Sequence, residues 1–238
     1  MKMTTVKKGS KGEAVKQLQM LLGITADGIF GPLTRDAVLA FQTANGLVAD
    51  GIVGPLTWAA LGKGSPQEVK EKPVYKQPVD YKQYDSKWAS KMYSSHGDKK
   101  QTMRSSACGP TAMADIVATL IEPSVTPPVL ADKAVAWGDR SYSSGTNWSF
   151  FQHIKNEYPF SDYKKSTSIS DLKKCLDTGG YVVCSMGKGY WTNGGHYICA
   201  WKYDGDYIYA NDPASSKRKK QSISQFMKER KAFFCFWK

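Results

Sequence analysis

The sequence has no apolar run approaching the ~18 residues that cross a bilayer, no C-x-x-C pair, and only three histidines among 238 residues. The first absence excludes a membrane-spanning helix. The cysteines are few and scattered, at 108, 175, 184, 199 and 235. An odd, unpaired set argues against a disulfide framework and against structural zinc, and it leaves at least one thiol free. Residues 1–12 are polar and basic without an apolar h-region, so synthesis in the cytoplasm without a Sec-type signal peptide is expected. No motif asks for a cofactor or a metal.

Negative charge is also short: 33 Lys and Arg face 21 Asp and Glu, a net +12. Such an excess draws anionic partners through a field that salt screens. Nucleic acid, acidic lipid and a bacterial wall rich in phosphodiesters and carboxylates all fit the sign. No helix-turn-helix, zinc or RNP pattern favours nucleic acid, and nothing asks for a membrane or for an oligomer. The densest cationic run, Lys217 to Lys220, reads as a solvated loop. At 41% hydrophobic and 12% aromatic residues the chain has the material for one large or two modest cores.

What is present begins with a repeat. Ala26-Asp27-Gly28-Ile29-Phe30-Gly31-Pro32-Leu33-Thr34 recurs as Ala49-Asp50-Gly51-Ile52-Val53-Gly54-Pro55-Leu56-Thr57, with one difference. Asp-Gly supplies a turn that accepts positive φ, and Gly-Pro opens a helix where the missing proline N–H does no harm. Ser10 and Glu13 have the spacing of a capping box ahead of a helix carrying Val15, Leu18 and Leu22. A small three-helix domain over 1–62 is expected. Residues 63–80, with three prolines among Lys, Glu and Gln, have linker composition. The doubled D-G-x-x-G-P-x-T resembles the type 1 peptidoglycan-binding domain, and the resemblance implies a noncatalytic module that docks on bacterial wall.

Residues 81–238 give helix patterns over 109–120, 129–137, 148–158 and 170–177, then strand patterns over 181–185, 196–201, 206–210 and 232–237. Helices first and strands last imply an α+β domain with an antiparallel sheet. Cys184, Cys199 and Cys235 alternate with apolar residues and read as core. Cys108 opens the first helix, where unpaired N–H groups and the helix dipole favour a thiolate. His196 opens one strand and Asp212 closes the next. A three-residue loop of Tyr203, Asp204 and Gly205 would set Lys202 opposite Asp206, and hence His196 opposite Asp212. A two-residue loop would put them on opposite faces unless a bulge intervened. His153, in an aromatic helix, and His96, in a polar loop, read as noncatalytic.

Gln83-Tyr84-Asp85 with Trp88, Cys108-Gly109-Pro110-Thr111, Gly194-Gly195-His196-Tyr197 and Asn211-Asp212-Pro213 together resemble the C39-like branch of the papain-like cysteine peptidases. That resemblance implies Cys108 as nucleophile, His196 as base and later acid, and Asp212 as the group that orients His196. Gln101 is the oxyanion candidate, with the backbone N–H of Cys108 as second donor and Gln83 as a weaker alternative. Tyr190 and Trp191 are candidates for a substrate groove. The combined expectation is a modular, monomeric wall hydrolase of endolysin type that cuts an amide in peptidoglycan and acts after release, with anionic wall polymers as further partners. A protein-processing C39 peptidase and a noncatalytic wall binder are the alternatives.

Overall fold

The computed structural model describes residues 4–63, 73–143 and 145–238. The chain divides into two units, Met1–Lys72 and Pro73–Lys238.

The first unit holds α1 (Glu13–Leu21), α2 (Pro32–Ala44) and α3 (Pro55–Lys63). Val15, Leu18, Phe30, Val38, Val53 and Trp58 form its core. The repeat is also a repeat of hydrogen bonds. Gln19 Nε2 donates to Asp27 Oδ1 at 2.7 Å and to Thr34 Oγ1 at 3.0 Å, while its Oε1 accepts from the Gly28 N–H at 2.8 Å. Gln42 repeats this with Asp50 at 2.9 Å, Thr57 at 3.3 Å and Gly51 at 2.9 Å. Each buried glutamine therefore closes one Asp-Gly turn, in which Gly28 and Gly51 take φ of 76° and 72°. The expected capping box is absent. Gly12 is the residue before α1, and no side chain caps it. Ser10 is spent in a tight turn with Lys7, because Lys11 bridges to Ile29 and fixes the chain there.

The second unit begins with α4 (Met103–Ser106), α5 (Cys108–Leu120) and α6 (Pro127–Ala136). A two-stranded ribbon of β1 (Arg140–Ser141) and β2 (Gly145–Thr146) follows, then α7 (Ser149–Glu157), β3 (Asp162–Ser166) and α8 (Ile169–Asp177). The chain ends with β4 (Tyr181–Met186), β5 (His196–Asp204), β6 (Tyr207–Asn211), β7 (Lys220–Ser222), α9 (Ile223–Glu229) and β8 (Arg230–Trp237). Six strands pair in the order β3-β8-β4-β5-β6-β7, and every pairing is antiparallel.

Alternation along the strands divides two cores. Val183, Tyr197, Cys199, Phe234 and Phe236 face α5, α6 and α7. Val182, Cys184, Ile198, Phe233 and Cys235 face α8 and α9. Cys175, Cys184, Cys199 and Cys235 are all fully buried. The amphipathic reading of α5 understates its burial, since ten of its residues are enclosed, Asp115 among them.

Residues 73–80, given a linker's composition, are tied to this unit. Tyr75 donates to Asp177, the Val79 N–H to Thr119 Oγ1 and the Tyr81 N–H to buried Asp115. Asn211 Nδ2 completes the clamp by donating to the Val79 carbonyl and to Asp115. The rest of the expected linker, 64–72, lies outside the described residues.

Candidate active site

Helix α5 delivers Cys108. The thiol sits at the first residue of the helix, half-buried, while the other four cysteines are enclosed. Gly109 permits a close approach of β2: a Cβ there would lie 2.7 Å from Thr146 Oγ1 and 2.8 Å from Thr146 Cβ. Thr146 cannot yield easily, because Tyr93 Oη lies 2.7 Å from its hydroxyl and Tyr197 Oη donates to its carbonyl at 2.8 Å.

Strand β5 delivers His196 as its first residue, 7% exposed. Its Nε2 lies 2.7 Å from Asp212 Oδ1. The ring also interacts with the Cys108 thiol, for which Nδ1 is the nitrogen left.

The route to this geometry differs from the expected hairpin. The β5–β6 connection is the two-residue turn Gly205 and Asp206, with Asp204 opposite Tyr207 and Lys202 opposite Tyr209. Continued unbroken, that register would place His196 and Asp212 on opposite faces. The register shifts at Trp201, so that Ala200 pairs with Ala210 and Cys199 with Asn211. One extra residue in β5 returns even positions to face even positions, and imidazole and carboxylate meet.

Asp212 is 1% exposed and its carboxylate is fully engaged. Oδ1 accepts from His196 and from the Ala214 N–H at 2.8 Å. Oδ2 accepts from Arg218 Nε at 2.5 Å. Lys82 Nζ donates to the Asp212 carbonyl oxygen at 2.8 Å. Arg218, read in the sequence as part of a solvated loop, is thus a direct partner of the buried carboxylate. A run of four cations offers no pattern that singles out one of them.

The electrostatics follow from these contacts. Burial works against ionisation of Cys108, but the hydrogen bond and charge of His196, with the backbone N–H groups of Tyr197 and Gly109, outweigh it and hold the thiol below its ordinary value. Burial likewise opposes a charged His196, yet Asp212 and the thiolate push its pKa up to about 9. For Asp212, desolvation is overcome by His196, Arg218 and the Ala214 N–H, and the carboxyl stays below the usual range. The lowered thiol and the raised imidazole both shift the balance toward a thiolate–imidazolium pair, with the ring held by a carboxylate. Such a combination has the chemistry to attack an electrophilic carbon and then to deliver a proton to a leaving group.

A second cation lies beneath the site. Arg140 is 3% exposed, and its guanidinium donates to the carbonyls of Tyr93, Ser141 and Gly145, to Gln101 Oε1 and to Ser106 Oγ. No carboxylate bonds it among the described residues. Burial lowers its pKa, while Tyr93 and Cys108 act in the opposite sense.

The remaining candidates separate. Gln101 gives its oxygen to Arg140 at 2.7 Å and its nitrogen to the Tyr142 carbonyl at 3.3 Å, so its amide is committed to holding the β1–β2 ribbon. Gln83 is 6% exposed, and its N–H donates to the Pro213 carbonyl at 3.0 Å. Its side-chain nitrogen donates to the Arg104 carbonyl at 2.5 Å. It thereby joins the segment after Asp212 to the segment before Cys108. Trp191 is 1% exposed, packs in the α8–α9 core and bonds Gln221 through its indole N–H, so it lines no groove. Tyr190 is 47% exposed and stands at the rim of a cavity beside Asp212. His153 bonds Asp139 at 2.7 Å, and His96 stacks on Tyr142 at 3.9 Å.

With this geometry in place, the relationships are direct. Residues 75–237, more than half of the chain, match the Peptidase_C39 like family, and the chain belongs to it. Residues 11–61 match the peptidoglycan binding domain. Among solved structures, a peptidoglycan-binding protein from Clostridioides difficile is 40% identical over 26% of this chain and 42% of its own, with a TM-score of 0.26. The endolysin of Burkholderia AP3 phage is 44% identical over 27% of this chain and 27% of its own, with a TM-score of 0.25. A C39-like peptidase from Bacillus anthracis is 16% identical over 56% of this chain and 90% of its own, with a TM-score of 0.44. The chain thus spans less than half the length of the first two. Among curated proteins, none matches. No helix among the described residues is long and apolar enough to cross a membrane.

Proposed function

We propose that the chain is a cysteine peptidase that hydrolyses an amide bond in the stem peptide or cross-bridge of peptidoglycan, with the first unit as its wall anchor. The observation that carries this reading is the pair of His196 Nε2 and buried Asp212 at 2.7 Å, with the ring interacting with the Cys108 thiol at the start of α5. The Cys108 thiolate attacks the scissile carbonyl carbon and forms a C–S bond. The oxyanion is received by the backbone N–H of Cys108 and by the second amide N–H of Gln83, the one not given to the Arg104 carbonyl, in preference to Gln101, whose amide holds the β1–β2 ribbon. The His196 imidazolium gives its proton to the leaving amine as the C–N bond breaks. Neutral His196 then takes a proton from water, whose oxygen attacks the thioester, and the acid product leaves with the thiol restored. Asp212 holds the ring in one orientation throughout.

Tethering to the wall raises the local concentration of substrate without altering these steps. Action on walls after release, in the manner of an endolysin, suits this pairing of units. The test is incubation of purified walls with the full chain, following free amines and reducing ends separately. Amines alone are expected, and Cys108→Ala abolishes their release while wall binding persists. New reducing ends, or activity indifferent to iodoacetamide, refute the mechanism.

A further inference from the structure

Beside Asp212 lies a groove of about 430 Å³ lined by the 215–220 segment and by residues 77, 80 and 82. Five cations line it, Lys82, Lys217, Arg218, Lys219 and Lys220, against two carboxylates, Asp80 and Asp212. Both carboxylates are already spent. Asp80 accepts from Lys82 at 2.5 Å, and Asp212 is shared by His196 and Arg218. Lys217, Lys219 and Lys220 form no ion pair among the described residues. Lys220 is nevertheless held in place, its ammonium 4.8 Å from the Tyr207 ring centre and 5.7 Å from that of Tyr209.

Three ammonium groups within four residues repel one another, and the one carboxylate among the described residues that is seen to interact with them, Asp204 with Lys220, is already paired with Lys202. A single carboxylate would neutralise one. A chain bearing a negative charge on every repeat would meet all three in succession, without needing the fixed fork that Arg218 has already turned toward Asp212. The wall reading supplies such a polymer, and this proposal rests on that reading for the source of the polyanion only. We propose that the groove is a docking site for a phosphodiester polymer of the bacterial wall.

The test uses the full chain carrying Cys108→Ala, so that binding is measured without cleavage and stands apart from the peptidase reading. Sedimentation is measured with purified walls, either intact or stripped of phosphodiester polymers by hydrofluoric acid. The triple change Lys217→Gln, Lys219→Gln and Lys220→Gln is expected to weaken binding to intact walls about tenfold at low salt, the order given by three exposed ion contacts. The difference vanishes on stripped walls and in high salt. Soluble poly(glycerol phosphate) competes with intact walls for the parent chain, which tests the site even if the triple variant misfolds. Equal binding of parent and variant to intact walls overturns the proposal. So does an equal loss on both kinds of wall, which would assign the lysines to peptidoglycan itself. Displacement by a DNA oligonucleotide as effective as by poly(glycerol phosphate), at matched phosphate, also overturns it.

Discussion

Replacing Asp212 by Ala tests the electrostatics of the site most directly. His196 holds its proton up to about 9, against ~6.5 for a free imidazole, and at ~1.36 kcal/mol per pH unit the gap is worth about 3 kcal/mol. Burial opposes that rise, and the bond to Asp212 is the largest contribution in its favour, followed by the thiol. Removing Asp212 thus takes away the largest single contribution that holds the proton. The variant should bring the imidazolium limb down from about 9 toward neutrality, and the Cys108 thiol should rise as its cation weakens. Arg218, left without its carboxylate, also lowers the imidazolium limb. The assay is the rate of iodoacetamide alkylation of Cys108 against pH, beside kcat/KM for a soluble peptide amide. Stability follows with a definite sign. A folded pKa above the unfolded one gives a contribution complete below ~6.5 and lost as pH rises through about 9. A variant whose alkylation profile keeps an upper limb near 9 would refute the reasoning.

Gly109→Ala should destabilise by about 1–3 kcal/mol and retard alkylation, since the new Cβ meets a threonine pinned from two sides; an unchanged melting temperature counts against this. Arg140→Gln removes a buried cation that interacts with the thiolate, so the thiol pKa read from alkylation should rise, and a pKa that does not move shows that Arg140 only braces the ribbon. Asp115 has a carboxyl raised well above its usual value, chiefly by burial, so its contribution is complete below ~3.9 and falls as pH climbs through the folded value. Asp115→Asn should therefore gain in urea midpoint relative to wild type as pH climbs above ~4, and parallel profiles sink the argument. Gln83→Ala should lower kcat by about 100-fold or more and Gln101→Ala much less, the reverse order refuting the choice of oxyanion donor.

Much of this was legible before any coordinates. The doubled Asp-Gly turn located the first unit, and the same 23-residue offset that relates Asp27 to Asp50 relates Gln19 to Gln42, so the cradle glutamines were readable too. The strand holding His196 and the Asp212 that follows the next one were visible from pattern. Their register was not, because no glycine or proline marks the extra residue at Trp201. Strand β3 escaped because Asp-Tyr-Lys-Lys-Ser is a polar edge whose residues are exposed or half-buried and show no alternation. Trp191 misled because an aromatic beside glycines looks like a loop surface, whereas its N–H found Gln221 from the distant β7. Arg218 and Arg140 were hidden for a common reason: composition counts a cation without saying which one has gone inside.

The irregularity at Trp201 insulates chemistry from the hairpin tip. Parity between the two strands is reset midway, so the tip can be trimmed or rebuilt while the far ends keep their alignment. Grafting a foreign loop at Gly205 and Asp206 ought to leave the imidazole undisturbed, whereas deleting a single residue around position 201 would rotate it out of service. A defect in the weave is what keeps the working end true.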